Sequence, residues 1–284
     1  MSHFPADDGV RIHVAVDSAS AGGLPVVMLH GWTASADEWS PFLPAITAHH
    51  PVYRWDARGH GRNNPEAATS AAAAHPTVQR MARDLDNLLS HFALDRVVAV
   101  GHSMGALTLW QYIRDFGTRR LAKVCLIDQS PRLVTDGEWT HGIYGNFDPA
   151  RSRAFVDDLR ADFPEAVLRL TALGLNARAR EKYLDNARGW QRSREMLARL
   201  DPDPLIACWE SLVGADYRDV LAAIDVPALL VYGGESNFYH AETAHYVASK
   251  IPDAILNIYE GTDHSPHQWQ RERFARELVD FINT

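Results

Sequence analysis

A chain of 284 residues that is 46% hydrophobic and 23% charged carries enough apolar material for a sizeable core, which excludes a disordered chain. The 28 basic residues against 36 acidic ones leave a formal charge of −8, and no Lys/Arg-rich block stands out, which argues against nucleic acid as a partner. Only two cysteines occur, Cys125 and Cys208, far apart in sequence, so a disulfide scaffold is not expected and a reducing compartment is.

In chain order, short β-branched or apolar runs alternate with longer amphipathic stretches. The strand-like runs are Val10 to Val16, Pro25 to Leu29, Val52 to Trp55, Arg96 to Val100, Ala122 to Ile127, Ala228 to Tyr232 and Ala254 to Tyr259. Such alternation predicts an α/β fold with a mainly parallel sheet covered by helices. Val78 to Phe92 reads as a helix with Met81, Leu85, Leu88, Leu89 and Phe92 on one face, and Gln268 to Ile282 as another with Phe274, Leu278, Phe281 and Ile282. Between Pro131 and about Ala223 the rhythm breaks. No strand-like run appears there, and prolines at 149, 164, 202 and 204 interrupt an Arg-, Leu- and Ala-rich stretch, which predicts a helical insertion between two strands. The small-residue run Ala67 to Ala74 reads as a surface loop.

The run Arg96 to Val100 leads directly into Gly101-His102-Ser103-Met104-Gly105, followed by the helix-like Ala106 to Tyr112. Strand, sharp turn and helix are the context of a nucleophile elbow, in which a Cβ at 101 or 105 would crowd the flanking segments. Ser103 is therefore the candidate nucleophile. The helix that follows aims its positive end at the site, and the Met104 amide is one candidate donor to a developing oxyanion. The strand Pro25 to Leu29 ends in His30-Gly31-Trp32-Thr33, where the Trp32 amide is the candidate second donor and the indole a pocket wall. His30 reads as a structural hydrogen-bonding residue. After the last strand-like run comes Glu260-Gly261-Thr262-Asp263-His264, and His264 is the candidate general base, with His267 a weaker alternative.

The ordered set His30-Gly31-Trp32, Asp56-Ala57-Arg58-Gly59-His60-Gly61, Gly101 to Gly105 and Gly261-Thr262-Asp263-His264 resembles the α/β-hydrolase superfamily. It is similar to the cofactor-free esterase, haloperoxidase and C-C hydrolase branches, over the whole chain except the insertion. The resemblance implies a mostly parallel eight-stranded sheet flanked by helices, with a helical cap inserted after strand 6. It divides the chain into a core of 1–130 and 224–284 and a cap of 131–223. It also implies an architectural role for Asp56 and Arg58, as a pair that holds a turn. The family usually carries its acid after the strand that is here Ala228 to Tyr232, and alignment on Gly234 puts Asn237 in that place. Asparagine cannot stabilise an imidazolium by charge. Asp128, at the end of Ala122 to Ile127, is the first substitute because some relatives place their acid there. Glu235 is the alternative, and a site with no carboxylate is a third possibility.

An insertion after Asp128 would roof the serine, and its aromatic residues imply an apolar pocket. Trp139, Tyr144 and Phe147, with Phe238 and Tyr239 beside the usual acid loop, are the candidate pocket residues. The expected activity is cofactor-free and metal-free hydrolysis of a carboxylic ester or lactone. C-C bond hydrolysis, cofactor-independent dioxygenation and ligand reception remain open on the same residues. The partner is a small molecule, and the sequence is silent on oligomeric state. Met1 to Asp17 lacks an apolar stretch behind a basic flank and no apolar run reaches membrane-spanning length, so a cytoplasmic location without membrane contact is expected.

Overall fold

Along the central strands, alternate side chains go to opposite faces of the sheet, and both faces are apolar. Val27, Leu29, Val97, Ala99, Val124, Leu126, Ala228 and Leu230 belong to one core, and Val26, Met28, Val98, Val100, Cys125, Ile127, Leu229 and Val231 to the other. Strands hydrophobic on both faces must be covered on both, which is why this sheet is sandwiched between helices. The computed structural model describes residues 2–20, 22–63 and 76–284, and the run Ala67 to Ala74 lies outside them.

The strands are β1 (Ser2–Pro5), β2 (Arg11–Asp17), β3 (Val26–Leu29), β4 (Val52–Trp55), β5 (Val97–His102), β6 (Leu121–Ile127), β7 (Ala228–Gly233) and β8 (Ala254–Tyr259). They form one eight-stranded sheet in the order β1-β2-β4-β3-β5-β6-β7-β8. β1 and β2 pair antiparallel, β2 meets β4 antiparallel, and every pairing from β4 through β3 to β8 is parallel. The seven strand-like runs of the sequence are all strands, and β1 is the eighth. Its four residues alternate too briefly and end on a proline, so only pairing with β2 defines it.

Helix α1 (Leu43–Ile46) follows a 3-10 segment, Ala36–Phe42; α2 (Val78–His91) and α3 (Met104–Phe116) precede β5 and β6. The insertion between β6 and β7 carries α4 (Pro149–Ala161), α5 (Phe163–Ala172), α6 (Ala177–Leu184), α7 (Arg188–Leu197) and α8 (Pro202–Val213). The prolines at 149, 164 and 202 occupy first turns of α4, α5 and α8, where a missing N–H costs nothing, and Asp148, Asp162 and Asp201 cap those helices. They therefore start helices rather than interrupt them. Helices α9 (Ala241–Lys250), α10 (Pro266–Trp269) and α11 (Arg271–Asn283) complete the chain. The expected helix from Gln268 to Ile282 breaks at Gln270, whose φ of −114° and ψ of 59° are non-helical and separate α10 from α11.

The expected Asp56–Arg58 pair does not form. Asp56 accepts the amides of Ala36 (2.7 Å) and Arg62 (3.0 Å), and so ties the turn after β4 to the 3-10 segment. Arg58 instead forms an ion pair with buried Asp84 of α2 at 2.5 Å and reaches Asp8 at 2.7 Å. The correction has a simple cause: a buried guanidinium needs several acceptors, and Asp56 is already taken by two backbone amides and by His13 Nδ1 at 3.0 Å.

Candidate active site

β5 ends at His102 and α3 begins at Met104, so the whole change of direction falls on Ser103, whose φ is 51° and ψ −113°. A non-glycine residue in that region stores backbone strain of roughly 1–3 kcal/mol. The turn is possible only because its flanks lack side chains. A Cβ on Gly101 would stand 2.6 Å from the backbone of Gly105, and one on Gly105 would stand 2.2 Å from the Leu29 carbonyl oxygen of β3. The Ser103 amide donates to the Ile127 carbonyl (3.1 Å), which fastens the elbow to the end of β6.

Asp128 follows directly on β6 and also has a positive φ, 44°. Its fully buried carboxylate receives His264 Nδ1 at 2.6 Å and Ser236 Oγ at 2.7 Å on Oδ2, and the Gly233 amide at 3.0 Å on Oδ1. Glu235 is exposed, lies in a different depression with Asn176, Lys182 and Trp190, and makes no contact with His264. Asn237 supports the same histidine in another way. Its Oδ1 accepts the His264 backbone amide (3.1 Å), and its Nδ2 donates to the Thr171 carbonyl of α5 (3.0 Å). The Leu175 amide donates to the Asn237 carbonyl (2.9 Å), and a Cβ on Gly174 would lie 2.2 Å from that oxygen.

Ser103 and His264 line one cavity of about 500 Å³ with Trp32, Gln129, Leu133, Ile143, Val167, Leu170, Thr171, Trp209, Leu212, Asn237, Phe238 and Tyr239. Phe238 stands edge-on to His264, with ring centroids 4.5 Å apart. Trp32 donates its indole N–H to the Leu205 carbonyl of α8 (2.9 Å) and packs on Trp209 and Phe163, so this wall is shared by the β3 loop and the inserted helices. Neither the Trp32 nor the Met104 amide donates to another group among the described residues.

Of the expected pocket residues, Phe238 and Tyr239 line the cavity and Trp139, Tyr144 and Phe147 do not. Trp139 donates to the Arg132 carbonyl and packs against His141 and Tyr246, at the side of the insertion. The Tyr144 hydroxyl bonds the Leu170 carbonyl, and Phe147 packs against Phe155 and Trp209, one layer behind the wall. Closeness to the sheet exit in sequence misled here. The true wall comes from α5 and α8, where Val167, Leu170 and Thr171, and Trp209 and Leu212, share helical faces at spacings of three and four.

A second polar network, of Glu38, His102 and His267, borders the same cavity through Glu38 and His102. Glu38 Oε1 meets His102 Nδ1 at 2.6 Å and His267 Nε2 at 2.9 Å, and Glu38 Oε2 accepts the Gly31 amide at 3.0 Å. Burial pushes Glu38 up, but His102 and His267 outweigh it and hold the carboxyl well below the usual range. Burial pushes His267 down to about 4, so the ring is neutral and faces Glu38 rather than Ser103. Among the described residues these three are the grouping with metal-ligand chemistry, their donor atoms within 4.8 Å of one another. No signal in the sequence marks Glu38, because its partners lie 7, 64 and 229 positions away. His30 is also buried; it bonds the Ala57 amide and the Gly31 carbonyl, as a structural residue does.

Comparison with known proteins agrees with this architecture. A family model described as the alpha/beta hydrolase fold matches residues 25–270. The chain is 28% identical over 268 residues to a pimeloyl-[acyl-carrier protein] methyl ester esterase of Vibrio cholerae, covering 92% of this chain and 95% of that one. It is 26% identical over 281 residues to the non-heme chloroperoxidase CPO-A1 of Kitasatospora aureofaciens, covering 92% and 93%. The solved esterase EaEST from Exiguobacterium antarcticum superposes with a TM-score of 0.82 at 21% identity, over 100% of this chain and 99% of that one. On fold, strand order and the extent of the family match, the chain belongs to the α/β-hydrolase family.

Proposed function

We propose that the protein is a serine hydrolase that cleaves a carboxylic ester or lactone with an apolar or aromatic moiety through an acyl-enzyme intermediate. The observation that carries this reading is the 2.6 Å contact between Asp128 and His264 Nδ1, made beside a cavity that also holds the strained Ser103. A carboxylate on Nδ1 keeps the proton there and leaves Nε2 free to accept one. Ser103 Oγ then attacks the carbonyl carbon as His264 takes its proton, and the Trp32 and Met104 amides receive the oxyanion. His264 returns the proton to the leaving alkoxide, and water repeats the sequence to free the acid.

The cavity wall of Leu133, Ile143, Val167, Leu170, Trp209, Leu212 and Phe238 favours an apolar acyl or alcohol group. Residues 131–223 act in this reading as the cap over the site, with 1–130 and 224–284 as the core. Ester hydrolysis is also the reaction in the name of the Vibrio cholerae relative. The test is direct. The protein should turn over short p-nitrophenyl esters and take up a fluorophosphonate on Ser103, and Ser103→Ala should abolish both. Turnover retained by Ser103→Ala would overturn the assignment, and oxygen consumption or diketone cleavage without ester turnover would redirect it.

A further inference from the structure

The oxyanion loop, the elbow and the histidine loop come from three distant parts of the chain, and one carboxylate touches all of them. Glu38 accepts the Gly31 amide (3.0 Å), pairs with His102 beside the serine (2.6 Å) and accepts His267 Nε2 from the segment that follows His264 (2.9 Å). His102 Nε2 in turn bonds the His264 backbone carbonyl (3.0 Å). A carbonyl oxygen only accepts, so Nε2 carries a proton, and Nδ1 stands at ion-pair distance, 2.6 Å, from the Glu38 carboxylate, which favours a second proton there. Burial pushes the His102 pKa down, but Glu38 and the His264 carbonyl outweigh this and hold it above the ordinary value. The titratable groups around it are Glu38, His264, His267, Asp128 and His30.

The contacts around Gly31 fix two successive peptide planes. Gly31 N–H is held by Glu38, and the Gly31 carbonyl is held by His30 Nδ1 at 2.8 Å, whose Nε2 accepts the Ala57 amide at 3.0 Å. That acceptance fixes the proton of neutral His30 on Nδ1. In a trans peptide the Trp32 N–H points opposite to the Gly31 carbonyl, so the His30 bond aims the Trp32 amide, while Glu38 holds the His30–Gly31 peptide on the other side of the Gly31 Cα. A Cβ on Gly31 would lie 3.0 Å from His102 Nδ1, which shows how closely the loop abuts the elbow.

We infer that Glu38 is a positioning residue of this hydrolase: it anchors the His30–Gly31 peptide from which the oxyanion donor at Trp32 is presented and, through His102, fixes the backbone of His264. This rests on the reading of Ser103 and His264 given above. A group that only stabilised the fold would leave the folded enzyme's turnover unchanged. A group that aims an oxyanion donor lowers kcat and leaves KM nearly intact, since ground-state binding does not use that donor.

The experiment is Glu38→Gln, which keeps the shape and removes the charge. Expected are a native circular dichroism spectrum, a kcat on p-nitrophenyl butyrate lower by about 10- to 100-fold, and a KM within about 3-fold. The rate of fluorophosphonate labelling should fall in the same proportion. In the wild-type enzyme, nitrogen NMR assigned through His102→Gln should show both His102 ring nitrogens mainly protonated near pH 6.5, where a free imidazole is half-neutral, a readout that survives even if Glu38→Gln does not fold. Wild-type turnover and labelling matched within about 2-fold by Glu38→Gln would overturn the inference while leaving the hydrolase reading intact. A neutral His102 in the wild type, or stoichiometric zinc with chelator-sensitive activity, would overturn it as well. If the wild type itself neither labels nor hydrolyses, the reading of Ser103 fails, and the His102 measurement still reports on the network.

Discussion

Replacing Asp128 with asparagine changes one oxygen into an NH2 group and leaves the side-chain shape intact, so its consequence can be worked out contact by contact. If the amide oxygen takes the Oδ2 place, the new NH2 faces the Gly233 amide, donor against donor, at 3.0 Å. If it takes the Oδ1 place, the NH2 faces His264 Nδ1 at 2.6 Å and Ser236 Oγ at 2.7 Å. The Ser236 oxygen already accepts the amides of Phe238 and Tyr239, so its proton is committed to the acid. The second arrangement satisfies Gly233 and forces His264 into the tautomer with its proton on Nε2, which cannot take one from Ser103. Asp128→Asn should therefore lower kcat by about 10³- to 10⁴-fold, or roughly 4–5.5 kcal/mol of transition-state stabilisation, with little change in KM. Steady-state kinetics on p-nitrophenyl butyrate at pH 8, with Glu235→Gln as the comparison, measure this. Glu235 is exposed and borders another depression, so its variant should stay within about 2-fold of wild type. Asp128→Asn retaining a tenth of wild-type kcat, or a larger loss in Glu235→Gln, would refute the reasoning.

Gly105→Ala places a methyl group 2.2 Å from the Leu29 carbonyl oxygen, between a helix and a strand that cannot both yield. It should destabilise by about 3 kcal/mol and lower Tm by roughly 6–12 °C, read by thermal unfolding; an unchanged Tm would mean that α3 and β3 are less tightly apposed. Burial pushes His60 to about 3 and His267 to about 4, so both stay neutral when folded, and burial shifts His30 in the same direction. The unfolded chain takes up these protons near pH 6.5, so the stability they contribute is complete above that pH and is lost as pH falls towards about 4. The two protons of His60 and His267 give a limiting slope of about 2.7 kcal/mol per pH unit, His30 adds in the same direction, and His102, shifted the other way, acts only above pH 6.5. Urea midpoints should fall steeply between pH 6.5 and 5; a flat profile would show that these rings are not buried neutral.

What could be read in the sequence was what local periodicity and close packing write into neighbouring residues. The parallel strands show as apolar runs because both faces are covered, and Gly101 and Gly105 show because an elbow tolerates no Cβ. What could not be read depends on partners far apart in the chain. Arg58 turns to Asp84 rather than Asp56 because α2 brings a buried carboxylate against it. Trp139, Tyr144 and Phe147 looked like a pocket wall by their place after β6, yet residues of α5 and α8 line the cavity instead. Glu38 carries no motif at all. Its place behind His102 follows from the 3-10 segment after β3 packing on α10, which only the folded chain defines.

Asn237 bears on how this enzyme could be re-engineered. Because the carboxylate that meets His264 sits at the end of β6, the loop after β7 is released from proton chemistry and serves as a joint, with Thr171 and Leu175 on one side and the His264 amide on the other. The inserted helices are thus registered against the histidine by asparagine's two-sided amide, and Gly174 leaves room for nothing larger at that seam. The cap-side partners of Asn237 are the backbone groups of Thr171 and Leu175, so a transplanted cap must reproduce the path of the chain there rather than its side chains. Chimeras that exchange 171–176 and 235–238 together respect the joint, and those cut between them would loosen the histidine even with every reacting group in place.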